Sequence, residues 1–212
     1  MKRIVHTMLW GVLTVLATAN GIFAMRYLLP HVPFAATIPN FKLDRFALAL
    51  HASSAGIALL VGPFQIAEWF RIRRRRLHRV LGWVYVVAVA LGAVSAMVLA
   101  PGANFGPIAA FGFFTLAIVW LIATGTALTM AIQHRFENHR RWMLRSYALT
   151  AAAITLRILM PAAAVAGLPP GPSYRAIAWM CWLVNLGMVE VYLAFRRGAP
   201  SQLPGTKLAG AR

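Results

Sequence analysis

The chain has 212 residues, of which 60% are hydrophobic and 12% charged, and its mean hydropathy is +0.70. A soluble domain is about 25% charged and 45–50% apolar, so one buried core cannot absorb this composition and many apolar side chains must face lipid. The formal charge of +17 would suit a nucleic-acid binder, but such a protein carries its basic stripe on a soluble surface, whereas these Lys and Arg residues stand in short clusters between apolar runs.

The first apolar run, residues 8–29, follows Lys2 and Arg3. Ala17-Thr18-Ala19 would suit a signal-peptide cleavage site, yet the apolar character continues to Leu29, so the run is expected to be kept as a helix. The second run, 46–70, carries His51 and then the stretch GPFQIAEW. Pro63 lacks an N–H and should bend the helix. Gly62 and Gln65 flank that bend, where inward carbonyls can line a cavity. Glu68 is expected to pair with the arginines that follow.

RRRLHRVLGWVY opens the third run, 80–100, and APGANFGP separates it from the fourth, 107–133. ENHRRWMLRSY opens the fifth, 146–168, and GLPPGPS separates that from the sixth, 174–195. Each run is long enough to cross a bilayer at about 1.5 Å per residue. Helices are required because no water satisfies bare backbone groups there. The expected fold is all-α: a polytopic integral membrane protein with a six-helix bundle in one domain, 1–195. The tail, 196–212, is basic and rich in Gly and Pro, and is expected to be disordered. The single cysteine, Cys181, excludes an internal disulfide and a multi-cysteine metal site, and reads as a small buried apolar side chain.

Orientation follows from the basic residues. Of the 21 Lys and Arg residues, Arg26, Lys42, Arg45 and Arg175 lie on one side, Arg157 lies inside a run, and the others lie on the second side. The richer side is expected to be cytoplasmic, which puts both termini in the cytoplasm.

Polar groups inside the runs mark functional positions. Arg157, counted about 11 residues into the fifth run, is expected near the midplane, in contact with Asn185 and with Glu190 as counter-charge. The alternative is that this pairing only fixes the last two helices together. His51 is a separate candidate on the outer side, as a packing residue, a proton-relay member or a ligand. At the cytoplasmic openings, His78-Arg79 and His139-Arg140 are each followed by Trp and Tyr. Asn138 could cap the fifth helix. Arg79, Arg140 and Arg145 there call for anionic partners, lipid phosphates or an anionic ligand, because cations at a helix start oppose its dipole.

HASSAGIALLVGPFQ, HRVLGWVYV and HRRWMLRSYALTAAAITLR resemble the bacterial membrane family termed domain of unknown function 2306, from about the second run through the sixth. The resemblance implies a small polytopic bacterial membrane protein and supplies no reaction. The His-Arg openings are also loosely similar to b-type transmembrane cytochromes and ferric-reductase-like proteins.

Two functions are therefore carried forward. One is a carrier, sensor or binding protein for a membrane lipid, a quinone or a small anionic ligand. Its candidate residues are His51, Gln65, Arg79, Arg140, Arg145, Arg157, Asn185 and Glu190. The other is a haem b protein with His78 and His139 as axial ligands. Hydrolase chemistry is disfavoured, since the four acidic residues are scattered and no nucleophile elbow, His-Glu-x-x-His or phosphate loop is present.

Overall fold

A computed structural model describes the backbone of residues 2–29 and 44–198, with side chains over 7–29 and 44–196. Lys42 and most of the basic tail lie outside the described residues. Helix α1, Lys2–Ala24, runs into a short 3-10 turn, Met25–Leu28. Helix α2, Arg45–Ile66, is followed by the short α3, Glu68–Arg73. Helix α4, Arg75–Leu99, ends in a 3-10 turn, Ala100–Gly102. Helix α5, Pro107–Ile132, leads to α6, Phe136–Thr150, and α7, Ala152–Val165, which share one span, and α8, Pro170–Gly198, closes the described chain. Six segments are long and apolar enough to cross a membrane: Thr7–Leu28, Arg45–Ile66, Arg75–Gly102, Pro107–Ile132, Phe136–Val165 and Pro170–Arg196.

Several ends follow local chemistry. The Asp44 carboxylate accepts from the Ala47 N–H at 2.8 Å and caps α2. Pro107 opens α5, where a missing N–H costs nothing. Asn138 does not cap α6. That helix begins at Phe136 after Arg135, with no side-chain cap, and Asn138 is its third residue.

The second run stops earlier than its hydropathy suggests. Helix α2 ends at Ile66, Ala67 is extended (ψ 117°), and Glu68–Arg73 forms a separate turn of helix. Pro63 is inside α2 as expected. Its missing N–H deprives the Leu59 carbonyl of its helical partner, and the Tyr147 hydroxyl donates to that carbonyl at 3.4 Å. Tyr147 can lie there because residue 62 is Gly: a Cβ at that position would stand 1.9 Å from the Tyr147 ring.

The interior is built mainly from alanine. Ala58, Ala93, Ala109, Ala127 and Ala178 are fully buried, which lets helix backbones approach closely, the usual basis of packing where lipid removes the hydrophobic drive between helices. Tyr85, Val89, Trp120, Tyr147 and Trp182 fill the remaining core. The lipid-facing stripe is legible on α4, where Val80, Val84, Val87, Leu91, Val94 and Val98 are all exposed at helical spacing. Helix α2 is central, packing on α1, α4 and α6, while α8 packs on α5, α6 and α7.

Candidate functional site

Among the described residues, three polar regions follow one another along the axis of the bundle. The first is a cavity of about 360 Å³ at the arginine-rich end, lined by Gln65, His78, His139 and Arg140 together with Trp10, Trp69 and Met143. The short break after α2 places Gln65 at its wall. Gln65 is 6% exposed, and its Nε2 has no hydrogen-bond partner. His78 Nδ1 is likewise buried without a partner. The His139 ring is oriented differently. Its Nδ1 lies 2.8 Å from the Ala127 carbonyl, which can only accept, so Nδ1 donates to it and Nε2 is not engaged by that bond. Arg71 and Arg196 also border the cavity, as does Glu68, whose carboxylate lies 4.0 Å from Arg71.

The second region is a closed hydroxyl cluster on α4, α5 and α6. Tyr85 Oη lies 2.9 Å from Ser146 Oγ and 2.8 Å from Thr150 Oγ1. Trp120 Nε1 donates to Thr150 Oγ1 at 2.9 Å, and Thr124 Oγ1 lies 2.7 Å from Ser146 Oγ. Thr124 and Thr150 also reach the backbone carbonyls of Trp120 and Ser146. Four hydroxyls and one indole supply five protons for these six contacts, so one contact always lacks a proton of its own. The cluster was missed in the sequence, although the i, i+4 pair Ser146 and Thr150 places two hydroxyls on one helix face.

The third region is a cavity of about 420 Å³ in the opposite half, lined by Arg26, Tyr27, His51 and Arg157, with Trp120 and Thr150 at its floor. His51 Nδ1 lies 2.8 Å from the Gly92 carbonyl, which fixes its ring against α4. The two cavities are separate. Met143 borders the first and Thr150 the third, about 10 Å apart by helical rise, with Ser146 between them.

The structure corrects the expected partners of Arg157. Its guanidinium donates to the Ala153 carbonyl at 3.1 Å, within its own helix. Asn185 instead accepts from the Thr155 hydroxyl at 2.9 Å and donates to the Ala148 carbonyl at 3.1 Å. Thr155 and Arg157 are two residues apart, and residues at that spacing point to different faces of a helix. Nor is Glu190 the counter-charge of Arg157. It binds Arg145 through two bonds, Nε to Oε1 at 2.5 Å and Nη2 to Oε2 at 2.8 Å, with the guanidinium 4.7 Å from the Trp142 ring centre. Within the helical segment Phe136–Val165, Arg157 stands nearer the Val165 end. Arg79 is exposed at the start of α4 and borders neither cavity. Among the described residues no group of three or more His, Cys, Asp or Glu side chains is placed to hold a metal ion.

Neither a curated protein nor a solved structure matches the chain. Residues 48–193 match the sequence model of one family, described as predicted membrane protein (DUF2306). That stretch runs from α2 to α8 and contains Gln65, His78, His139, the hydroxyl cluster and Arg157. The comparisons lend no support to the weaker likeness to cytochromes. Because the match covers more than half of its residues, this integral membrane chain belongs to the family of predicted membrane proteins DUF2306.

Proposed function

We propose that the protein binds a small ligand rich in hydrogen-bond acceptors in the cavity at the arginine-rich end. The ligand class is an anion, a lipid phosphate or a quinone carbonyl. Gln65 carries the reading: a buried amide whose Nε2 has no partner lines the same cavity as His78 and Arg140. A buried donor left without a partner costs about 1–3 kcal/mol, and a ligand oxygen would remove that cost. Arg71, Arg140 and Arg196 favour a negative one, while Trp10, Trp69 and Met143 supply the apolar walls. The orientation rule for basic residues favours the cytoplasmic side for this cavity, within reach of both lipid and soluble ligands, and the family resemblance favours a bacterial inner membrane.

A second reading has one observation in its favour. The structure brings His78 and His139 to a single cavity, and His139 is held through Nδ1 with Nε2 remaining, the pattern by which metal-ligating imidazoles are oriented. These two side chains would hold a haem b, with neighbouring arginines facing its propionates, and the group would supply one-electron redox chemistry.

One preparation tests both. Full-length protein, expressed with haem precursor and purified in detergent, is examined by native mass spectrometry and by absorption. A co-purifying mass lost in Gln65→Leu and Arg140→Leu supports the proposal. A Soret band that shifts on reduction and disappears in His78→Ala and His139→Ala moves the assignment to haem. Wild-type protein that carries neither a bound mass nor a chromophore refutes both readings.

A further inference from the structure

We infer that the cavity in the opposite half is a second, independent site, and that it takes an amphiphile with a single anionic head. The argument starts from the carboxylates. The chain has only four acidic residues. Glu68, Glu137 and Glu190 pair with Arg71, Arg141 and Arg145 at the arginine-rich end, and Asp44 caps α2. None is left for the arginines of the outer cavity.

Those arginines are Arg157 and Arg26. Among the described residues Arg157 has one hydrogen bond, to a carbonyl of its own helix. Arg26 reaches Tyr27 Oη at 3.0 Å and lies 3.9 Å from the Phe23 ring centre, and its Nε is buried without a partner. Both line the same cavity, and among the described residues no ion pair neutralises either. A guanidinium within a membrane span needs partners, and such residues face a cavity or pathway when the protein does not supply them. An anion from outside the chain meets that need, and a planar head such as a carboxylate can take two parallel N–H bonds from the guanidinium.

The rest of the wall defines the remainder of the ligand. Leu48, Leu59, Leu99, Leu116 and Leu156 line the cavity. A hydrated inorganic ion gains nothing from such a surface, whereas an acyl chain does. The volume of about 420 Å³ lies within the range of small-molecule sites. The shared chemistry of a free fatty acid and an anionic phospholipid, one acidic head on an acyl chain, fits this lining.

The test is equilibrium binding to the full-length protein in neutral detergent. Palmitate is the probe and hexadecanol its uncharged counterpart. Wild-type protein is expected to bind palmitate saturably, at least roughly tenfold more tightly than hexadecanol. Arg157→Gln should remove that preference, Arg157→Lys should keep most of it, and Arg79→Gln should retain the wild-type preference. Competition by dioleoylphosphatidylglycerol would place a bilayer lipid in the site, and its absence a single-chain acid. Equal binding of palmitate and hexadecanol by the wild type overturns the inference without any variant. So does palmitate binding unchanged in a well-folded Arg157→Gln protein. Neither outcome depends on the cavity at Gln65.

Discussion

Thr150 and Tyr85 make contrasting contributions to the hydroxyl cluster. Thr150 Oγ1 accepts from the Trp120 indole and contacts Tyr85. Replacing it with Val leaves the indole N–H buried without an acceptor, a loss of about 1–3 kcal/mol. Tyr85 is different. Removing its hydroxyl takes away two contacts and one proton, and the remaining four contacts then have four protons. Tyr85→Phe should therefore cost only the net value of a buried hydrogen bond, about 0.5–1.5 kcal/mol. The protein carries its own reporter: Cys181 is its single cysteine and is 0% exposed. Heating with a thiol-reactive dye should show Thr150→Val melting below Tyr85→Phe, and both below wild type. The reverse order would mean that the hydroxyl count does not describe the cluster. At this scale the sequence revealed which types of residue matter, but not whom they meet. Arg157 and Glu190 stood out as intramembrane charges, yet their partners depend on helix rotation, which a single chain's hydropathy does not specify.

At the scale of elements, the bend in α2 and the aromatic face of α6 form one unit. Pro63 frees a carbonyl, Gly62 leaves room beside it, and Tyr147 fills the room and reaches the carbonyl. Gly62→Ala puts a methyl into the Tyr147 ring. Overpacking of this kind costs about 1–3 kcal/mol, and the melting temperature of the Cys181-reported transition should fall accordingly. Combining it with Tyr147→Leu should cost less than the sum of the two single changes, because the clash is removed in the double variant. Simple additivity would show that the ring moves aside freely. The bend itself was legible, since proline acts locally. The early stop at Ile66 was not, because EWFRIR is amphipathic enough to continue a helix, and the extended Ala67 turns it away. The fifth helical segment begins before its apolar run for a related reason. Hydropathy placed its start near 146, but the polar stretch from Phe136 is already helical and belongs to the same span. Ten residues of helix are about 15 Å, so Arg157 stands nearer the Val165 end of the helical segment than its start.

For the whole molecule, charge and composition set the architecture before any contact is considered. Six spans follow from apolar length, and the arginine-rich turns gather at one end. That end also holds Glu68, Glu137 and Glu190, each paired with an arginine. Cations near the ends of spans resist translocation, whereas acidic residues contribute little to orientation, so these pairs do not weaken the signal. The turn around Arg74 and the turn around Gln133 should therefore stay in the cytoplasm, and the turn around Ala103 should face out. Single-cysteine variants in a Cys181→Ala background make this measurable in intact cells. Ala103→Cys should react with a membrane-impermeant maleimide added outside. Arg76→Cys and Gln133→Cys should react only after the cells are permeabilised. Labelling of Arg76→Cys in intact cells would invert the molecule. It would also move the Gln65 cavity to the exterior and the Arg157 cavity to the cytoplasmic half. The binding chemistry of both would stand, but the ligands available to each would be exchanged.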